Sequence, residues 1–332
     1  MFDLRTLLTA KTVRLRYWAL CICLIVFLGG CGLTAPQRAR VELRGGDATG
    51  TLTVVIDGNE AITYQYGEEY AIPHIWPLRS PTCRLLTVQH PDPYPHHRSL
   101  WIADKVQLGD GPVVDFYHCW TNLRDRDRPD LGYRHFIRHR EFLKREAKAD
   151  HAVLASALRW VVDEQNPVLD EARTMRVTAC GDGEYLLDLT WKLTATYGDV
   201  KFCSDWVHYA WPYLRMRPEF SGEQGGTIID DRGRRGQEQT NGKYASWIDY
   251  FNTVEGVTEG LAMFIHPDGD DHKWLTREYG TFGPRRSDGL SGTGFTLRAG
   301  DSLKGRVGIF VHRGDTHDGR VAERYHQYVE SD

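Results

Sequence analysis

Residues 89–101 hold more chemically capable side chains than any other stretch of the chain, with His96, His97 and Arg98 in succession. Three prolines in this stretch favour extended backbone, so we expect both imidazoles on a rigid, extended segment. Because successive side chains alternate across a strand, one histidine should face a site and the other the interior. We predict His97 as a catalytic acid or base supported by His96, and Arg98 as a ligand-binding cation. The alternative is a buried histidine pair with Arg98 in a salt bridge.

A second dense segment, residues 115–120, contains Asp115 and His118, which we assign to the same catalytic centre. Asp115 is predicted to orient a histidine of residues 89–101, as carboxylates commonly do, or else to cap the preceding turn. A divalent metal bound by one of those histidines, His118 and His208 is an alternative, because imidazole is a common ligand. The spacing fits no metal-binding template, so the metal content stays open.

Residues 205–217 combine aromatic side chains with arginines, and include His208, Trp211 and Arg215. Aromatic faces stack on sugar rings, while charged groups hold hydroxyls. We therefore predict that His208, Trp211 and Arg215 bind a ligand in the wall of a carbohydrate cleft. Core packing and a surface for a protein partner are the alternatives.

Composition and missing motifs exclude several function classes. A formal net charge of -4 over 332 residues offers no basic surface for nucleic acid. The chain lacks the G-x-S-x-G, P-loop and G-x-G-x-x-G motifs, which argues against a serine α/β-hydrolase and against nucleotide cofactors. Carboxylates for glycoside hydrolysis are plentiful, but the separation that distinguishes its mechanisms is spatial.

The N-terminus has the pattern of a secretory leader. Basic residues precede an apolar stretch at residues 18–28, and the sequence Leu-Gly-Gly-Cys follows, ending at Cys31. This resembles the lipobox of bacterial lipoproteins. The resemblance implies that residues 1–30 are a signal peptide and that Cys31 carries the lipid anchor. An uncleaved short membrane helix is the alternative.

This leader sets the expected domain organisation and location. Residues 31–50 are polar and contain glycine and arginine, which indicates a tether, and residues 51–332 should form a single domain. By analogy with bacterial lipoproteins, we expect an exported protein anchored in the bilayer of the cell envelope, at the outer membrane where the cell has one.

Export also bears on the cysteines beyond the anchor. Four remain, which are Cys83, Cys119, Cys180 and Cys203. An even number in an oxidising compartment allows disulfides, with the pairing open, and buried thiols are the alternative.

Alternating hydrophobicity predicts antiparallel β-structure. The clearest example is the row Leu187, Leu189, Trp191 and Leu193, which alternates with polar residues. Turn residues such as those at 181–183 separate such runs, and no long amphipathic helix interrupts them. We predict an all-β fold, an antiparallel sandwich of two sheets, with one short helix at residues 318–329.

Several motifs resemble the PmoA family, bacterial proteins whose name suggests methane oxygenase. The motifs lie at residues 73–78, 95–101, 114–117, 243–250, 260–267 and 277–282. Among them Pro-His-His-Arg-Ser-Leu-Trp, at 95–101, is the most specific. The resemblance implies a β-supersandwich like that of galactose mutarotases and polysaccharide-processing proteins. Residues 202–211 depart from the family pattern.

Together these observations predict an exported lipoprotein that binds and processes a saccharide, as a hydrolase, lyase or epimerase. The alternatives are a non-catalytic glycan-binding or envelope scaffold protein and, as the family name implies, a copper protein related to methane oxygenase.

Overall fold

The computed structural model of the protein describes residues 40–119, 135–203, 210–268, 272–285 and 295–331. Within these ranges no helix is both long and apolar enough to cross a lipid bilayer. The predicted leader and lipid-carrying cysteine precede the first range.

Twenty β-strands make up most of the described chain. They are β1 (Val41–Gly46), β2 (Thr51–Ile56), β3 (Asn59–Gln65), β4 (His74–Leu78), β5 (Leu100–Trp101), β6 (Lys105–Leu108), β7 (Val113–Asp115), β8 (Phe136–Ala147), β9 (His151–Val162), β10 (Asn166–Gly181), β11 (Glu184–Thr194), β12 (Val200–Phe202), β13 (Tyr213–Arg215), β14 (Thr227–Asp230), β15 (Trp247–Val254), β16 (Val257–Ile265), β17 (Trp274–Thr276), β18 (Thr281–Pro284), β19 (Phe295–Leu297) and β20 (Ser302–Arg313). Two α-helices accompany them, α1 (Gly236–Thr240) and α2 (Val321–Glu330).

The strands form three sheets. Two sheets have eight strands each, in the orders β1-β2-β3-β4-β5-β13-β18-β17 and β14-β15-β16-β20-β11-β10-β9-β8. A third sheet has four strands in the order β19-β12-β6-β7. The strand pairs of β10 with β9 and β11 and of β20 with β11 and β16 are all antiparallel. The predicted all-β, antiparallel fold is confirmed. The third sheet was not predicted, because its strands are too short to show a period of two.

One hydrophobic core joins the two large sheets. Leu187, Leu189 and Leu193 of β11 are buried in the same cluster as Leu52 and Val54 of β2. Each row occupies alternate positions of its strand, so each sheet turns one apolar face inward. Because β2 and β11 belong to different sheets, this shared core shows that the sheets face each other. Each fully buried leucine stabilises the sandwich by about 1.5–3 kcal/mol.

The turn predicted at residues 181–183 joins β10 to β11. Asp182 and Gly183 both have positive φ, 51° and 81°. A two-residue hairpin turn with positive φ at both positions matches the twist of the flanking strands, and Asp-Gly is a favoured pair there. This turn fixes the register that sends the leucines of β11 to the core.

The short C-terminal helix is confirmed as α2, which begins three residues later than predicted. Its Val321 and Tyr328 are buried against Phe264 and Phe310, on the side of the second large sheet that faces away from the core. The apolar side chains of this helix therefore pack against the outer face of that sheet.

The structure extends the sandwich into the range predicted as a tether. Strand β1 lies within residues 31–50 and pairs with β2 along its whole length. Val41 is buried and Leu43 packs partly against the core, so this short segment contributes to the fold. Cys83, Cys119, Cys180 and Cys203 are not joined to one another by any disulfide in the described chain.

Candidate functional site

The backbone of residues 89–99 is folded into turns, and strand β5 follows at Leu100–Trp101. Tyr94 N–H donates to the Pro91 carbonyl at 2.8 Å, and His97 N–H donates to the Tyr94 carbonyl at 2.9 Å. The predicted extended segment is therefore wrong, because proline favours tight turns as well as extended chain. The rings of His96 and His97 lie edge to face with centroids 4.6 Å apart, so the predicted alternation of the two side chains is also wrong.

His97 is held on both sides of its ring and is only 3% exposed. Its Nε2 lies 3.1 Å from the Tyr117 hydroxyl, and its Nδ1 lies 3.4 Å from Thr281 Oγ1. The ring stacks on Tyr94 with centroids 4.9 Å apart. Burial is the largest cause that lowers the pKa of His97 well below its usual value, with His96 and Arg215 adding to it. His97 is therefore neutral at physiological pH.

His96 is also buried, at 8% exposure, and its Nδ1 has no hydrogen-bond partner among the residues that the structure describes. Burial lowers the pKa of His96 to about 3, with help from His118 and Arg98. The centroid of the His118 ring lies 4.3 Å from that of His96. The structure thus brings His96, His97 and His118 together, as the sequence predicted for one site.

Asp115 orients His118. Its Oδ2 accepts a hydrogen bond from His118 Nδ1 at 2.8 Å, and its Oδ1 accepts one from the His118 backbone N–H at 3.0 Å. Lys105 Nζ lies 3.6 Å from the same carboxylate. Burial alone would raise the pKa of Asp115, but these bonds and the Lys105 charge lower it overall. The histidine that Asp115 contacts is its near neighbour in sequence, three residues on.

Arg98 follows the turns of residues 89–97 and is almost fully buried. One of its terminal nitrogens donates to the His96 carbonyl at 3.2 Å and the other to Cys119 Sγ at 3.4 Å. These contacts tie the turn to the end of the second dense segment. Its predicted role in ligand binding stays a prediction.

Arg215 reaches the same cluster from β13. It is 4% exposed, and it donates hydrogen bonds to the Tyr279 carbonyl and to Thr281 Oγ1. Its guanidinium lies over the Tyr279 ring, 4.5 Å from the centroid, and Tyr279 stacks on Tyr94 at 5.0 Å. Burial lowers the pKa of Arg215. In the described chain, no carboxylate pairs with Arg215 and its Nε has no hydrogen-bond partner.

Four contacting residues were not predicted: Tyr94, Tyr117, Tyr279 and Thr281. Tyr94 and Tyr117 lie within the two dense segments, but a single tyrosine gives no spacing signal. Thr281 lies 184 residues from His97 in sequence, and only the pairing of β18 with β13 brings it near. No local pattern could have predicted that contact.

Two other predicted ligand-binding residues fall elsewhere. Trp211 lines a cavity of about 570 Å³ whose other walls come mainly from β10, β11 and β20. The His cluster does not line that cavity. His208 lies outside the described residues, so neither its predicted ligand role nor its predicted metal role has a structural description.

One group of three potential metal ligands lies close together in the described part of the chain. It consists of Asp315, His317 and Asp318, in the turn before α2. The group differs from the predicted set and is largely exposed to water.

The oriented His118 defines what the cluster can do chemically. Because Nδ1–H is donated to Asp115, the lone pair of Nε2 is the basic position of the ring. Such a group accepts a proton from a hydroxyl and returns it, which is general acid–base chemistry. The His118 side chain is 18% exposed, more than either neighbouring histidine.

Several solved structures are similar in fold. The GH36 α-galactosidases AgaB and AgaA from Geobacillus stearothermophilus match with 11% and 10% identity and TM-scores of 0.43 and 0.40. The matches cover 82% and 83% of this chain and 41% of each galactosidase, so this chain spans about two fifths of their length. Galactose 1-epimerase from Lactobacillus acidophilus NCFM matches with 9% identity and a TM-score of 0.38, over 83% of this chain and 99% of that one.

Among curated proteins, no sequence matches. A family model does match over residues 51–326, and it describes a family of unknown function, DUF6807. The predicted membership of the PmoA family is therefore wrong, because the short motifs that suggested it lie in a chain whose long match is to another family. The copper-protein alternative depended on that resemblance alone and is dropped with it. Because this match covers residues 51–326, more than half of the chain, the chain belongs to DUF6807, a family of unknown function.

Proposed function

We propose that this protein binds and processes a saccharide at the cluster of His96, His97, His118 and Arg215. The observation that carries the proposal is the hydrogen bond between Asp115 and His118 Nδ1. The same cluster contains Arg215, a buried arginine without a carboxylate partner in the described chain. An oriented base and a fixed cation are the two groups needed to bind a polyhydroxylated ligand and to move a proton on it.

The proposal assigns proton transfer to His118. Its side chain is 18% exposed, whereas His97 is 3% exposed and has partners at both ring nitrogens. A general base must come within hydrogen-bond distance of the proton that it removes, and His118 is the most exposed of the three imidazoles. His97 is then a positioning residue that holds the Tyr117 hydroxyl.

Arg215 supplies the binding charge in this proposal. A buried guanidinium without a carboxylate is costly, and a ligand that offers hydroxyl or carboxylate oxygens offsets that cost. The aromatic rings of Tyr94 and Tyr279, which stack beside it, provide the apolar surface on which sugar rings pack.

A non-catalytic glycan-binding or scaffold protein is the second candidate. It is favoured by the burial of His96 and His97 and by their lowered pKa values, because neutral, buried imidazoles also serve as structural hydrogen-bonding groups. Under this alternative, Arg215 would still bind the ligand, and the ligand would leave unchanged.

The cellular setting is also a proposal. The Leu-Gly-Gly-Cys sequence ending at Cys31 supports export and lipid anchoring to the bacterial cell envelope. These residues lie outside the described ranges.

The experiment is a glycan array with the full chain in detergent, followed by product analysis on every glycan bound. We expect bound glycans to be converted by the wild type and to be bound but not converted by His118→Gln. The matched control is His151→Gln, which removes a similar pair, Asp150 with His151 Nδ1 at 2.7 Å, where the turn after β8 meets the first residue of β9. Equal conversion by all three proteins contradicts the assignment, and binding without conversion by the wild type favours the second candidate.

A further inference from the structure

Two lysines face each other across the second large sheet. Lys192 of β11 and Lys304 of β20 are directly opposite in register, on the face turned away from the core. Like charges in this position are destabilising. Neither ammonium group pairs with a carboxylate in the described chain, whereas Lys144 and Lys148 of the same protein both pair with Glu146. The fold therefore places two unneutralised cations side by side.

A third cation lies one step further along the same face. Arg306 is opposite Thr190, two residues from each lysine. Asp188 holds its guanidinium through two hydrogen bonds of 3.1 Å, and His266 Nε2 lies 3.2 Å from it. Arg306 is thus fixed in place.

These residues line the cavity of about 570 Å³ that also contains Trp211. Among the described residues of its wall, Lys192, Lys304 and Arg306 are cations and Asp268 is a carboxylate. Asp188 neutralises Arg306, so the lysine pair supplies the excess positive charge. The excess of positive charge favours an anionic ligand.

Two indoles complete the wall. Trp191 and Trp211 are buried, and in the described chain neither indole N–H has a hydrogen-bond acceptor. Tryptophan faces pack on sugar rings, and an indole N–H usually finds a partner when it is buried. The wall therefore adds two indole N–H groups without acceptors in the described chain to its positive charge.

A second cavity of about 610 Å³ adjoins the first, since Ala172 and Lys192 line both. Its wall carries Arg140 and Arg159 besides Lys192, against Glu141, Asp170 and Glu171, so its charges balance. The two cavities form a groove across β8 to β11 and β20 with its positive charge at one end. A groove of this extent accommodates a chain of several units better than a single small ion.

We propose that this groove binds an acidic oligosaccharide, with a carboxylate or sulfate group between Lys192 and Lys304. The saccharide part rests on the proposed function, whereas the anion site rests on the lysine pair alone. The bound anion neutralises the cross-strand repulsion, and the neutral end of the groove holds the remaining sugar units.

The first experiment tests the anion site with inorganic sulfate and the full chain. At matched ionic strength, sulfate should raise the melting temperature of the wild type more than chloride does. Lys192→Met and Lys304→Met should each raise the melting temperature without sulfate by about 1–2 °C, because the repulsion is removed, and should abolish the sulfate effect. Lys144→Met, an exposed lysine of β8, is the control and should keep the sulfate effect. A sulfate effect that survives in both lysine variants overturns the anion site, as does its absence from the wild type.

The second experiment compares carboxylated, sulfated and neutral oligosaccharides on one array. We expect acidic glycans to bind at least tenfold more tightly than neutral ones, and to lose at least tenfold in affinity in Lys192→Met and Lys304→Met. The carboxylated and sulfated arms identify the acidic group. Preference for neutral glycans, or equal binding by the lysine variants, overturns this inference but leaves the proposed function standing. Binding of no glycan, with the sulfate effect retained, supports the anion site and overturns the saccharide assignment together with the proposed function.

Discussion

Asp115 and His118 form a two-point contact in which one carboxylate accepts hydrogen bonds from both the ring Nδ1, at 2.8 Å, and the backbone N–H, at 3.0 Å, of the same histidine. Two bonds from one residue fix the direction of the ring as well as its tautomer. This contact is the reason for placing the proton-transfer step at His118.

The first prediction follows from that contact. Once a converted glycan is known, His118→Gln should lower its kcat by about 10²- to 10⁴-fold, the usual contribution of a general acid or base. Asp115→Asn should lower kcat by less and leave KM nearly unchanged, because Asp115 positions the ring without touching the ligand. Steady-state kinetics on the purified full chain measure both effects.

The control for this pair is Asp150→Asn, since Asp150, in the turn before β9, contacts His151 through a comparable bond of 2.7 Å. Its kinetics should equal those of the wild type. If the loss of kcat in Asp115→Asn were no larger than the loss of folded protein measured by circular dichroism, or if the variant kept the kcat of the wild type, the positioning role would be wrong.

The second prediction concerns acid stability. Burial is the largest cause that lowers the pKa values of His74 and His96, each to about 3. Between that value and the usual pKa near 6.5, the unfolded chain binds protons that the folded chain does not. Stability must therefore fall as the pH falls through this window, by up to about 1.4 kcal/mol per pH unit for each group. Urea denaturation at pH 7 and pH 5 measures the loss.

His74→Gln tests the cause. In the folded protein the ring of His74 contacts the Ile72 carbonyl at 3.0 Å and Gln89 Oε1 at 2.9 Å, so the glutamine variant should be somewhat less stable at pH 7. It should also lose less stability on acidification than the wild type. A wild type that is equally stable at pH 7 and pH 5 would contradict the prediction.

The third prediction concerns a second buried contact, between His312 of β20 and Asp249 of β15. The distance from His312 Nε2 to Asp249 Oδ1 is 3.0 Å, Thr316 donates to Asp249 Oδ2 at 2.6 Å, and both members of the pair are fully buried. Burial opposes the charge on His312, but Asp249 raises its pKa overall. Removal of one partner leaves the other buried without compensation, so His312→Leu should cost about 3–5 kcal/mol.

The pH dependence of this pair is opposite to that of His74. A raised pKa in the folded state gives stabilisation that is complete below the unfolded pKa and disappears as the pH rises through the folded one. His312→Leu should therefore cost more at pH 6 than at pH 9 in urea denaturation. His317→Leu, at a side chain 97% exposed, is the control and should change stability by less than about 0.5 kcal/mol. An equal cost at both pH values would contradict the charge assignment.

The sequence predicted those features that depend on local periodicity. The leucines of β11 alternate with polar residues, and the apolar residues of α2 have helical spacing. The Asp182-Gly183 turn requires positive φ. Each of these features could be predicted from the sequence. The candidate site could be predicted only in part. The sequence indicated which segments carry imidazoles, but the turns that bring His96 and His97 to one side depend on hydrogen bonds that proline content does not specify.

The contacts between distant segments could not be predicted. Thr281 meets His97 only because β18 pairs with β13, and β13 pairs with β5 just after the histidines. The groove beside Lys192 and Lys304 depends on the register of β11 against β20, which their sequences do not state. The prediction of family membership was also wrong, because short motifs alone do not distinguish one family from another.

The last prediction tests the lipid anchor. If Cys31 is acylated after export, the wild type expressed in a bacterium should incorporate labelled palmitate and sediment with membranes, and Cys31→Ser should do neither. Several acyl chains on one residue hold a protein at a bilayer far more firmly than one chain, so the change in membrane fraction should be nearly complete. Cys23→Ser is the matched control, because Cys23 lies in the predicted signal peptide and is lost on cleavage. Label retained in Cys31→Ser would contradict the anchor, and a wild type without label would contradict lipidation at any cysteine.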